Sequence, residues 1–213
     1  MAMALLLNMY RKEEPLSQVV FCGSRVALQM PLAGYLIRWS GLVSADPQSF
    51  QSYMQKGKNI CFIPGGYEEA SLTSQNQYNY YLEHKGFIKY AMKYGYKIRP
   101  CVAYNENKAY QTIDKFYKFR LLLNKFKFVG TLFYSKYFLI LSNPNINIEM
   151  VVAKPFEVPQ IENPTKEQIE EWHKKYIEYV TQIFYKYKNQ FDSKGGDLYG
   201  YQNEQLKQLK PKL

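Results

Sequence analysis

The sequence predicts an α/β fold in which a central sheet is flanked by helices. Three observations carry that expectation. Short segments rich in Val, Ile, Cys or Phe alternate with helical patterns along the chain. The 213 residues are 46% hydrophobic, enough to fill a core without metals or disulfides. A long amphipathic helix with a recognisable start lies towards the carboxy-terminal end.

The elements follow in order. Strands are expected over Gln18 to Cys22, Asn59 to Ile63, Lys97 to Ala103 and Ile148 to Ala153, each followed by a turn or loop signal. Pro100 cannot donate to a ladder, so part of the third strand is an edge or an end. Asp46 caps a helix through Gln55 that stops near Gly57, and a helix begun near Gln77 continues through Gly86 to Tyr94 and closes at Gly95. Thr165-Lys-Glu-Gln168, with Pro164 just outside, is a capping-box pattern. Ile169, Trp172, His173, Tyr176, Val180, Ile183, Phe184 and Tyr187 then recur at three- and four-residue intervals, which gives one apolar face. The remaining stretch, 192–213, is polar, contains Gly195-Gly196 and Pro211, and is expected to be a mobile tail.

Composition narrows the function classes. No uncharged apolar run approaches the roughly 18 residues of a membrane-spanning helix. Met1 to Leu7 is apolar but lacks a basic leader and a small-residue cleavage site, so it is not read as a signal peptide. Cys22, Cys61 and Cys101 lie far apart and are expected as small buried hydrophobes in a reducing compartment. The aspartates are scattered and there are only two histidines, so no metal site is expected. The net charge is +10, and Lys85 to Lys136 holds twelve Lys or Arg against two acids, while the rest of the chain is balanced. Such a block attracts an anionic membrane surface, a phosphorylated small molecule or a nucleic acid. No recognisable nucleic-acid motif accompanies it, so no nucleic-acid partner is expected. Leu121 to Leu141, apolar but broken by Lys125, Lys127 and Lys136, is either an interfacial segment or a core helix with snorkelling lysines.

Three segments could carry chemistry. Pro64-Gly65-Gly66-Tyr67-Glu68-Glu69 follows a strand, and its glycines either make a plain tight turn or bring bare backbone N–H groups to a ligand. His84-Lys85-Gly86-Phe87 sets a cation beside a glycine inside a helical pattern, where glycine costs about 1 kcal/mol and close packing is the simplest reason for it. Tyr104-Asn105-Glu106-Asn107 ends a strand, and its polar side chains are expected in the same cleft.

Taken in order, Phe62-Ile-Pro-Gly-Gly-Tyr-Glu-Glu69, His84-Lys-Gly-Phe-Ile-Lys-Tyr-Ala91 and Pro100-Cys-Val-Ala-Tyr-Asn-Glu-Asn107 resemble consecutive blocks of the type 2 diacylglycerol acyltransferase family, which includes monoacylglycerol and wax-ester acyltransferases. Val151-Val-Ala-Lys-Pro155, Val158-Pro159 and Asn163-Pro-Thr165, with the helix carrying His173 and Tyr176, are similar to that family's carboxy-terminal signature. Asn105 stands where the family more often has glycine, and His84 where it more often has arginine.

The resemblance implies a partial acyltransferase domain over 1–191 that transfers a fatty acyl group from acyl-coenzyme A to a lipid hydroxyl such as diacylglycerol, in triacylglycerol synthesis. Acyl-coenzyme A is then a co-substrate and no cofactor is required. The family's general base is a histidine in His-Pro-His-Gly, a motif absent from this sequence, and the expected position falls at or before Met1 in a truncated chain. Gly65 and Gly66 are the candidates for shaping an oxyanion-binding turn, Glu69 for positioning the acceptor, and Lys85, Gly86, Glu106 and Asn107 for completing the substrate site. His84 is a weaker substitute for the base, and His173 is expected as a packed core residue. The resemblance also implies a membrane surface as partner, on the cytosolic face of the endoplasmic reticulum or at lipid droplets, and leaves room for a homodimer. The other reading is a non-catalytic, lipid-binding remnant of the same fold.

Overall fold

A computed structural model describes residues 19–25, 28, 33–39, 41–113, 115–126, 130–131, 133–134 and 143–211. Met1 to Leu7, Gln18 and most of the second half of Leu121 to Leu141 lie outside the described residues. The chain divides into two compact units, 1–64 and 65–213. The α/β class holds, with the strands distributed over small sheets.

The first unit contains β1 (Val19–Gly23), α1 (Ala33–Trp39), β2 (Val43–Ser44), α2 (Pro47–Gln55) and β3 (Asn59–Cys61). Its three strands are parallel in the order β2-β1-β3, with Cys22 opposite Val43 and Phe21 opposite Cys61. Parallel neighbours need crossover helices, and α1 and α2 supply them. Asp46 is the expected cap of α2: its carboxylate accepts the Ser49 N–H at 3.0 Å. Phe21, Leu28 and Leu42 form the core, and Phe50 meets Phe62 edge-on at 5.1 Å. Cys22 is buried as expected, but Cys61 is exposed because it sits on an edge strand whose side chains are mostly uncovered.

The second unit begins with α3 (Gly66–Ser71), β4 (Tyr78–Tyr81), α4 (Gly86–Tyr94), β5 (Cys101–Tyr104), a 3-10 turn (Glu106–Lys108), β6 (Gln111–Thr112) and α5 (Tyr117–Asn124). It continues with β7 (Phe133–Tyr134), β8 (Glu149–Val152), α6 (Lys166–Phe191), β9 (Leu198–Gln202) and β10 (Gln205–Gln208). The capping box of α6 is present, with Thr165 Oγ1 accepting the Gln168 N–H at 3.3 Å and Gln168 Oε1 accepting the Thr165 N–H at 2.9 Å. His173, Tyr176, Val180, Ile183 and Phe184 form its buried face. Tyr104, fully buried, donates its hydroxyl to the Phe184 carbonyl at 2.8 Å and ties β5 to that helix. Pro100 stands just before β5, and its carbonyl accepts the Ala153 N–H at 2.9 Å, so the proline marks a strand start. Cys101, on this two-stranded edge, is exposed rather than buried.

Two expectations are corrected. Residues 78–81 are not the first turn of a helix but strand β4, and α4 starts at Gly86. The reason is tertiary: β4 pairs in parallel with β9, more than a hundred residues away, with Tyr78 opposite Leu198 and Tyr81 opposite Tyr201. For the same reason 192–211 is not a mobile tail. Asp192 and Leu198 are buried, β9 and β10 form a hairpin, and its two-residue loop, Asn203 (φ 50°) and Glu204 (φ 59°), adopts the left-handed backbone that tight hairpins require. Polar sequence misled here because the outer strand β10 is mostly exposed, while the burial of β9 depends on its pairing with β4.

Candidate functional site

The double glycine opens α3, and its two residues have different jobs. Gly66 has φ +58°, which a residue with a side chain reaches only with strain. Gly65 has an ordinary φ of −77°, so its glycine is not a conformational requirement. A Cβ there would lie 2.3 Å from Glu69 Oε2 and 2.4 Å from Glu69 Cβ. Gly65 is small because the Glu69 side chain, one helical turn on, folds back across it. The Glu69 N–H donates to the Gly65 carbonyl at 3.1 Å, closing that turn.

Folded over Gly65, the Glu69 carboxylate accepts the Tyr81 N–H at 3.2 Å. Burial raises its pKa from the ordinary 4.5 to about 7; the Tyr81 bond opposes that rise, and the like charge of Glu106 adds to it. The carboxyl in turn pushes up the hydroxyls of Tyr80 and Tyr176, which burial had already raised. A carboxyl held near neutral pH with two phenols around it can hold or pass a proton and accept or donate a hydrogen bond.

Around Gly66 stands a second group. Measured from where its Cβ would be, Glu68 Oε2 lies at 3.6 Å and His84 Cε1 at 4.0 Å. The exposed His84 meets the Tyr81 ring edge-on at 4.9 Å, and Tyr81 stacks on Tyr201 at 5.6 Å with planes 14° apart. Tyr81 therefore serves both groups, its backbone holding Glu69 and its ring backing His84. Sequence reasoning missed it by reading 77–85 as helix, and missed Tyr201 by reading β9 as tail. The available signal was the density of β-favouring aromatics in Tyr78-Asn-Tyr-Tyr81.

The other expected site residues are placed as follows. Lys85 caps α4 next to His84, but its ammonium is ion-paired with Glu170 of α6. Gly86 is the first residue of α4, exposed, with open space where a Cβ would point, so neither an interior-helix penalty nor close packing explains it. Glu106, exposed, reaches Glu69 electrostatically. Asn107 is engaged elsewhere, its amide donating to the Gln75 carbonyl at 3.2 Å. Asn105 and Lys108 line an open groove of about 400 Å³ with Asn145, Glu149 and Phe191. Asn105 has φ +64°, the left-handed conformation that glycine would supply and that asparagine tolerates. Its N–H donates to the Tyr78 hydroxyl at 2.9 Å, and that hydroxyl donates to Asp192 at 2.6 Å. His173 is 4% exposed, lies edge-on to Phe87 at 6.1 Å, and is held neutral, its pKa lowered to about 4 by burial and then by the Lys85 charge. It is packed in the core, as expected. Among the described residues no His, Cys, Asp and Glu cluster could hold a metal ion.

The family model described as diacylglycerol acyltransferase matches residues 14–199. The chain belongs to the diacylglycerol acyltransferase family. It is 30% identical over 148 residues to Diacylglycerol O-acyltransferase 1 of Schizosaccharomyces pombe, covering 63% of this chain and 42% of that protein. It is 31% identical over 165 residues to 2-acylglycerol O-acyltransferase 1 of Homo sapiens, covering 71% and 49%. Diacylglycerol O-acyltransferase 2 of Dictyostelium discoideum is 29% identical over 164 residues, covering 70% and 49%. The match thus spans about half or less of each of these relatives. No solved structure matches the chain. Within the diacylglycerol acyltransferase match lie Gly65, Gly66, Glu69, Tyr81 and His84, whereas Tyr201, with most of β9, lies beyond its end.

Proposed function

We propose that this chain forms part of an acyl-coenzyme A-dependent O-acyltransferase that esterifies a lipid hydroxyl such as that of diacylglycerol, the chemistry of triacylglycerol synthesis. The observation that carries the reading is the family match over 14–199, whose first two motif segments come together around Glu69 and Tyr81. In the reaction a general base takes the hydroxyl proton, the freed oxygen attacks the thioester carbonyl, and the tetrahedral oxyanion collapses with loss of the coenzyme A thiolate, which takes up a proton. Neither histidine here is assigned as that base, which the family places in His-Pro-His-Gly. The residues present supply the setting: the Gly65–Gly66 turn for oxyanion donors, and Glu69 for orienting the acceptor hydroxyl. The endoplasmic reticulum surface or the lipid droplet is the setting that fits such a substrate.

The test is transfer from radiolabelled acyl-coenzyme A to diacylglycerol in liposomes. The 213-residue chain is run beside a version extended upstream with the His-Pro-His-Gly segment. Activity confined to the extended version supports the proposal. Turnover by the shorter chain assigns the base to His84 or another group present here, and no turnover by either version leaves the non-catalytic, lipid-binding reading in its place.

A further inference from the structure

Helix α5 and its flanks turn their polar side to the protein and their apolar side to solvent. Arg120 and Asn124 stand one turn apart on the inner face. Arg120 is 5% exposed, and its guanidinium donates to the carbonyls of Ile113 at 3.0 Å and Thr73 at 2.9 Å and to the Thr131 hydroxyl at 2.8 Å. Asn124 Oδ1 accepts the Ser71 hydroxyl at 2.9 Å. Gly130 closes the back of the helix: a Cβ there would lie 2.6 Å from Arg120 Cα.

The opposite side carries Phe116, Phe119, Leu122 and Phe126, which are 75%, 59%, 45% and 68% exposed. Their spacing of three, three and four residues places Phe119, Leu122 and Phe126 on one stripe. An ordinary amphipathic helix buries such a stripe. Of the eleven large apolar side chains exposed among the described residues, six lie between Ile113 and Tyr134, so the exposure is concentrated here. Single exposed apolar residues need no explanation, whereas a grouped set does. Phe116 adds a second oddity, since its backbone is left-handed (φ +60°), a conformation unfavourable for a bulky side chain and held here with the ring outward.

Charge says what covers the ridge. From Lys115 to Phe126 there are four cations and no acid, and the three cations not buried, Lys115, Lys118 and Lys125, are exposed beside the apolar stripe. The stripe offers on the order of 400 Å², about half of what one partner contributes to a stable protein interface. An eight-residue helix spans only about 12 Å, and no described helix is long and apolar enough to cross a membrane. A narrow apolar ridge edged with lysines fits a membrane surface, where acyl chains lie just below a plane of phosphates.

We propose that 115–126 docks this chain on an anionic membrane leaflet. Phe116, Phe119, Leu122 and Phe126 enter the acyl-chain boundary, and Lys115, Lys118 and Lys125 lie among the headgroups. The proposal stands on this surface alone and does not require the chain to transfer acyl groups.

The test is co-sedimentation of the 213-residue chain with phosphatidylcholine vesicles, with and without phosphatidylserine. Retention is expected on the anionic vesicles and falls with salt. Phe119→Ser with Phe126→Ser should weaken it about tenfold or more, and Lys118→Gln with Lys125→Gln by about fivefold per lysine. All four side chains are exposed, so an unchanged circular dichroism spectrum and melting temperature accompany each variant. The proposal fails if the unmodified chain does not bind, or if the phenylalanine variant binds as well as the original. It also fails if sedimentation velocity shows a dimer that the phenylalanine variant dissociates, since the ridge would then face a second copy.

Discussion

Replacing Glu69 by glutamine tests whether the fold holds this carboxyl in its neutral form. Its pKa is raised from 4.5 to about 7, so between those values the folded protein keeps a proton that the unfolded chain has released. Stability contributed by this site is present below about pH 4.5 and is lost as pH rises through about 7. The difference between 4.5 and about 7 corresponds to about 3 kcal/mol, a ceiling because Glu69 as a whole residue is half-buried although its carboxyl is covered. Glutamine keeps the shape and an oxygen for the Tyr81 N–H but cannot ionise. Urea unfolding at about pH 5 and about pH 8 should therefore show Glu69→Gln gaining on the original protein by up to about 3 kcal/mol at the higher pH. Other titrating groups are common to both proteins and cancel in the comparison. Parallel pH dependence in the two proteins would mean that Glu69 titrates as it does in water, and the account of Gly65 as a cradle for a buried acid would be wrong.

Three further outcomes follow from the same geometry. His173, lowered from 6.5 to about 4, destabilises the fold on acidification through that window by at most about 3 kcal/mol; His173→Gln should flatten the acid limb of a stability profile, and an unchanged limb would place the histidine in water. Gly65→Ala should cost about 1–3 kcal/mol by displacing Glu69, and the cost should largely vanish on a Glu69→Gly background, which removes the Cβ as well as the carboxyl; full additivity in that double-mutant cycle would show that the two residues do not compete for space. Leu198→Ala should destabilise the second unit by about 2–5 kcal/mol in a denaturant melt, as expected of a fully buried side chain, whereas a change within about 0.5 kcal/mol would return β9 to the status of a loose tail.

What was legible in the sequence is what short-range chemistry dictates. Asp46, Gly95 and Thr165 cap helices as their side chains or lack of one require, and the apolar period of 169–187 placed the buried face of α6. The motif order also carried the family, because ordered blocks need no structure to be recognised. Residues whose state depends on distant partners were not legible. Tyr78–Tyr81 is a strand only because β9 lies beside it, and β9 is ordered only because β4 does the same for it. Gly65 read as a turn residue, yet its smallness serves the Glu69 side chain. Which face of α5 points outward turned on the bonds that hold Arg120 inward. Caps and periods act within a turn or two of the chain, so the amino-acid sequence by itself determined them. Strand pairing, burial of a carboxyl and the outward face of a helix are set by groups tens of residues away, and only the tertiary structure decided those.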